Sequence, residues 1–271
     1  MLPPADFPLH KPEFAHEFGV RALPPGQAPL RRTGDFSRQL RLRRRVRRLR
    51  PDDSFATVPG SLPLCEEVAR WIADEAPSVR THAGRHPLED VGLQIQEDLA
   101  VMADAPGFPL VAGLVCLPSG WSVRDKLGLS MGATHGPVPG FAAHMREKTE
   151  KLFAAMPPLR PVYRRNWALS PAGRLAAFPD RARRMEQDRR ALSADNAGRR
   201  CRLRVEYQTL TRMPQTGAVV FTILTLQCRL ETLSPEQKGL LAGVLHTCPE
   251  DMLRYKGLKG VRDPVLAYLG S

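Results

Sequence analysis

Two pairs of short apolar runs, each pair interrupted by a turn signal, constrain this chain more than any other feature. "GLQIQEDLAVMA" (92–103) and "FPLVAGLVCLP" (108–118) flank Asp104-Ala105-Pro106-Gly107, and a second pair at 201–212 and 217–228 flanks Met213-Pro214-Gln215-Thr216-Gly217. Apolar or alternating runs of this length, bounded by Pro and Gly, form strands, and a few turn residues between two of them close an antiparallel hairpin. Tyr163–Leu169 reads as a fifth strand. Helical spacing occupies 35–50, then 62–76 with Leu64, Val68, Trp71 and Ile72 on one side. A third stretch, Phe141 to Met156, aligns Phe141, Met145, Thr149, Leu152, Phe153 and Met156 on one face. Ser234-Pro235-Glu236-Gln237 is a capping box with proline at the first helical position, so a helix is expected over 235–247. A last one, 249–256, should end at Gly257. Together these predict an α+β fold, an antiparallel sheet of about five strands with flanking helices.

Residues 1–30 are proline-rich and aperiodic and read as an extended arm, leaving 31–271 as one domain. Within it, 170–200 reads as an insert outside the core, with a short polar helix near 179–193. With 271 residues and 42% hydrophobic content, the chain can bury a substantial core. No apolar run is long enough to span a membrane and the N-terminus lacks a signal-peptide layout, so a soluble cytoplasmic protein is expected. Five scattered cysteines without a CxxC suggest buried free thiols.

The net charge of +12 would point to a polyanionic partner, but Arg31–Arg50, with ten arginines and one acid, supplies +9 of it. Leu42, Val46 and Leu49 share a helical face there, leaving Arg43, Arg44, Arg47 and Arg48 mostly to other faces. Such a helix either docks on the core with a solvated arginine face or receives an acidic protein. Nucleic acid is disfavoured, because no aromatics interleave with the arginines.

Five stretches carry a family resemblance: "LQIQEDLAVM" (93–102), "LVAGLVCLPSGWSVRDKLGLSMGATHGPVPGF" (110–141), "VYRRNWAL" (162–169), "LRVEYQTLTRMPQTGAVVFTI" (203–223) and "MLRYKGL" (252–258). The chain resembles the haem-dependent oxidative N-demethylase family, the haem-binding alpha subunit of the dimethylamine monooxygenase kind. The resemblance implies a PAS-like domain with haem b. It further implies O2-dependent oxidation of a methylated amine to formaldehyde and the shorter amine, with electrons from NADPH through separate flavin and iron–sulfur reductase proteins. The chain departs from the family pattern at Tyr207, at Leu224-Thr225-Leu226 and in the length of 170–200, which bears on the substrate more than on the haem. A non-catalytic haem or small-molecule sensor on the same fold is the alternative.

A haem needs an axial donor, cations for its propionates and an apolar slot. His135, in the Gly- and Pro-punctuated loop 118–140, is the leading axial and metal ligand, unless it only hydrogen-bonds the loop; His86 is second. Cys116, a possible thiolate donor, sits in an apolar strand where a buried thiol is the usual occupant. Arg124, Lys126 and Arg165 are expected to hold propionates; Arg164 and Arg165 point oppositely, so only one can reach. Trp167, on the face of Arg165, either covers the ring or fills core. Glu206, an acid in an apolar strand, is either paired with an arginine or faces a polar cavity, and is the candidate catalytic residue orienting the amine. Glu97 and Asp98 pose the same question, and only one of them can face inward; Tyr255 and Lys256 either close the pocket or end a helix.

Overall fold

A computed structural model of the chain describes residues 6–15 and 19–270, so His16 and the first five residues of the arm lie outside it. The first half supplies β1 (Arg21–Ala22), α1 (Phe36–Leu49), α2 (Pro51–Ser54), β2 (Phe55–Thr57), α3 (Leu62–Glu75), α4 (Pro87–Gly92), β3 (Asp98–Met102) and β4 (Leu110–Leu114). Four short helices follow: α5 (Val123–Lys126), α6 (Met131–Thr134), α7 (Phe141–His144) and α8 (Arg146–Ala155). Then come β5 (Val162–Ser170), α9 (Ala182–Arg190), α10 (Ala194–Arg200), β6 (Arg202–Arg212), β7 (Val219–Arg229), α11 (Pro235–Thr247), α12 (Glu250–Tyr255) and α13 (Arg262–Leu269).

The fold is α+β. All strand pairs are antiparallel, in the order β1-β5-β6-β7-β3-β4-β2. The five expected strands occupy the centre, and among the described residues the count rises to seven because two-residue β1 and three-residue β2 cap the edges. Such short edge strands leave little unpaired backbone. The first hairpin is shorter than its apolar pattern suggests. Residues 92–97 do not extend β3, since the Gln96 and Glu97 side chains are engaged by Thr33 and by the Arg31 backbone N–H. The expected 141–156 helix is divided at Met145 into α7 and α8.

Alternation sorts the strands onto two faces. Leu99, Val101, Trp167, Leu203, Val205, Tyr207, Leu224 and Leu226 point to one side, under α3, α4 and α10–α13. Met102, Leu210, Ala100 and Phe221 point to the other, under the segment that carries α5–α8. The first is called the helix-covered face below, the second the loop-covered face.

Several expectations are corrected. The excursion 170–200 is not peripheral: Leu175, Ala177, Phe178, Leu192 and Ala197 are buried, and α10 packs so closely on α13 that a Cβ on Gly198 would lie 2.6 Å from the Tyr268 ring. Helix α13 itself has no matching expectation. On α1, Leu49 is exposed, whereas Arg43, assigned to a solvated face, is completely buried. The reason is electrostatic. Asp98 lies buried at the start of β3, and Arg43 pairs with it while donating to the Gly92 carbonyl at 2.8 Å. Asp98 also accepts the Cys116 and Leu117 backbone N–H groups, each at 2.8 Å, and is fully satisfied; Glu97 is equally buried, so both members of the pair turn inward, not one as expected. All five cysteines are buried and free.

Candidate functional site

Register decides which strand residues meet. Asn166 pairs with Glu206 and Arg164 with Gln208, while Glu206 pairs with Thr225 and Gln208 with Ile223. Directly paired residues of an antiparallel sheet share a face. Arg164, Asn166, Glu206 and Gln208 therefore lie together on the loop-covered face, beside Phe221 and Ile223. Arg165 and Trp167 lie on the opposite one. Arg165 and Trp167 share a face as expected, but strand parity turns them away from Glu206, and Arg164 rather than Arg165 is the arginine on that side. Trp167 fills the helix-covered core.

Glu206 is the centre of the polar cluster. Its Oε1 accepts Arg204 Nε at 3.1 Å, and its Oε2 accepts Gln208 Nε2 at 3.0 Å and Asn166 Nδ2 at 3.3 Å. Of the two alternatives for Glu206 the arginine pairing holds, yet the carboxylate keeps partial exposure. Arg204 is itself fixed by the Leu175 and Leu117 carbonyls at 2.8 and 2.6 Å. Lys256 reaches around the edge of β5, donating to the Trp167 carbonyl at 2.9 Å and to Asn166 Oδ1 at 3.3 Å. Desolvation pushes its pKa down to about 8, against the pull of Glu206. Tyr255 and Lys256 thus end α12 and also stand at the rim of the cluster, Tyr255 close enough to feel the charges of Glu206 and Arg164.

In the segment that covers this face, Ser130 caps α6 by accepting the Ala133 N–H, and this short turn presents His135 at its C-terminal end. His135 Nδ1 lies 2.9 Å from the Met131 carbonyl, and its ring stacks on Phe141 with centroids 4.9 Å apart. A carbonyl can only accept, so Nδ1 carries the proton and Nε2 keeps its lone pair. One side of the residue is open to solvent, but packing around the imidazole lowers its pKa by desolvation; the Met131 carbonyl opposes this shift, and the charges of Arg164 and Lys126 reinforce it. The result is a neutral ring with a free nitrogen, which is what a metal ligand requires.

Arg164 links the two sides. Its Nε is buried without a hydrogen-bond partner, and desolvation lowers its pKa while Glu206 resists the change. Lys126 turns its Nζ to the Thr134 carbonyl at 3.2 Å, within this group. Arg124 does not join it. It is largely exposed and lies 3.5 Å from Asp53, on the outer side of α5. The parity of Arg164 was not legible in the sequence because 170–200 separates β5 from β6 and no hairpin sets their register. Lys256 acts from an element distant in the chain.

Apolar side chains stand on the same face. Phe221 is half-buried although it lies in a central strand, and it and half-buried Trp121 both pack against the buried cluster of Ala100, Leu110, Val115 and Val123. Cys116 is unsuited to be a donor here, since burial pushes its thiol up to about 12. His86 packs edge-on against Phe55 at the far side of the sheet. Among the described residues, no group of three or more His, Cys, Asp or Glu side chains gathers to hold a bare ion. A lone imidazole facing a cation and an aromatic floor suits instead an iron already held by a macrocycle with anionic arms.

No helix of the described residues is long and apolar enough to cross a membrane. A sequence model of the family described as haem-dependent oxidative N-demethylase, alpha subunit-like, matches residues 72–266. The match takes in both faces of the central sheet and every residue of the cluster above, and the chain belongs to that family.

Proposed function

We propose that the loop-covered face forms a PAS-like cradle for haem b, and that the chain removes a methyl group from a methylated amine as formaldehyde. The balanced reaction consumes O2, two electrons and two protons, and yields the shorter amine, formaldehyde and water. Separate flavin and iron–sulfur reductase proteins would deliver the electrons from NADPH. The single observation that carries this reading is Arg164, whose buried Nε has no hydrogen-bond partner, which shares a sheet face with Glu206, and whose charge also reaches His135.

His135 Nε2 would hold the iron, with the Met131 carbonyl and Phe141 fixing the ring plane. Arg164 and Lys126 would pair with the propionates, the guanidinium fork matching a carboxylate bidentately. When bound, haem supplies the redox chemistry that activates dioxygen. Glu206 would hold the ammonium group of the substrate, its orientation locked by Arg204, Gln208 and Asn166. Phe221 and Trp121 would shed water from the methyl group.

The test is a Soret spectrum together with formaldehyde release from dimethylamine and related amines under a surrogate reductant. His135→Ala should lose or shift the Soret band, and an unchanged band would sink the axial assignment. Glu206→Gln should keep the band and raise KM. Haem binding without formaldehyde from any methylated amine would favour a sensor.

A further inference from the structure

The helix-covered face carries a second recess, away from His135 and Glu206, where the arm meets β5 and β6. It measures about 230 Å³ and is lined by Asp6, Gln27, Ala28, Arg31, Arg165 and Tyr207. That is below the roughly 300 Å³ at which pockets for drug-sized ligands begin. Its polar groups are unevenly satisfied. Arg31 is committed: its two terminal nitrogens hold both oxygens of Asp6, at 2.7 and 2.9 Å, and its guanidinium lies 4.6 Å over the Tyr207 ring. Arg165 is uncommitted. Its guanidinium lies 5.3 Å over the Tyr163 ring, its Nε is buried without an acceptor, and no carboxylate pairs with it among the described residues. Tyr207 is only 3% exposed, and its hydroxyl is buried with no hydrogen-bond partner. Two orphaned donors of this kind are costly unless something fills their valences.

We infer that this recess binds a small organic carboxylate, one oxygen taking the Tyr207 hydroxyl and the carboxylate as a whole pairing with the Arg165 guanidinium. Charge sets the class of ligand. With Arg31 neutralised by Asp6, one positive charge remains, which suits a monoanion. Glu97, whose Oε1 accepts the Arg31 backbone N–H at 2.7 Å, stands behind that pair, and burial pushes its carboxyl up to about 7, so below that pH it offsets little of this charge. A phosphate dianion would lack its second partner. The stacked Tyr163 and Tyr207 rings, 5.3 Å apart, hold the hydroxyl and the guanidinium in place before any ligand arrives.

The experiment is calorimetric titration of the intact chain with acetate, succinate, benzoate and inorganic phosphate, alongside Arg165→Gln and Tyr207→Phe. The phenylalanine variant retains both the ring stack and the Arg31 contact, so it tests the hydroxyl alone. At least one carboxylate should bind, Tyr207→Phe should weaken it about tenfold, and Arg165→Gln should abolish it. Both variants should keep the Soret band of the parent protein. Three outcomes overturn the inference: no carboxylate binding up to millimolar concentration, phosphate binding in preference, or loss of haem in Arg165→Gln, which would return this arginine to the propionates. None of them bears on His135, so this inference and the haem reading fail separately.

Discussion

Arg164 and Arg165 are chemically identical neighbours, and an extended backbone sends them to opposite sides of the sheet. Arg164 faces Glu206 and has no acceptor for its Nε, so Arg164→Met should weaken haem retention by about tenfold, read from the rate of haem transfer to apomyoglobin, while barely altering the fold. An equal loss from Arg165→Met would contradict the assignment of faces. Glu97 offers a prediction of another kind. Burial pushes its carboxyl from 4.5 up to about 7, with the Arg31 N–H working against that shift. The folded state therefore keeps a proton that the unfolded chain releases between those values, so stability falls as pH rises from about 4.5 through 7. Glu97→Gln removes this cost. Its stability relative to the parent should climb by about 3 kcal/mol between pH 4.5 and 8, measured from urea midpoints. A flat difference would show that the carboxyl titrates normally.

Among elements, α1 shows how far a charge run can be divided by its surroundings. Arg31, Arg38, Arg43, Arg47 and Arg50 each pair with a carboxylate, whereas Arg41, Arg44, Arg45 and Arg48 are exposed and form one stripe at helical spacing. The two sets should respond oppositely to substitution. Arg43→Met strands a buried Asp98 and should cost about 3–5 kcal/mol in chemical denaturation. Reversing Arg44, Arg45 and Arg48 to Glu should leave stability nearly unchanged; if this stripe receives the proposed reductase, it should also slow electron delivery at low salt and lose that effect at high salt. Turn chemistry and alternation were enough to locate both hairpins, α3, α11 and α12, because those signals are local. Arg43 was hidden because burial of a cation depends on Asp98, 55 residues away. His135 was visible from its Gly- and Pro-rich loop, but its orienting bond to the Met131 carbonyl was not, since it needs the α6 turn. The arginine facing Glu206 was unreadable for the reason of register given above, and Lys256 for its remoteness.

Across the whole molecule, the sheet consists of two locally paired sets, β3–β4 and β6–β7, joined at a β3–β7 seam. Partners on the seam are 117 residues apart at Met102 and Val219 and 125 apart at Asp98 and Ile223. Closing such long loops costs entropy before any contact repays it, so the local hairpins should form first and the seam last. Chevron kinetics test this. Leu226→Ala, within β6–β7, should slow refolding, whereas Val101→Ala, at the seam, should mainly speed unfolding. The seam also has a consequence for synthesis. His135 and Lys126 follow β4 in the chain, but Arg164, Glu206 and Phe221 emerge from the ribosome later. The cradle proposed above would therefore lack its floor until β6 and β7 have been synthesised, and stable haem retention should require both strands.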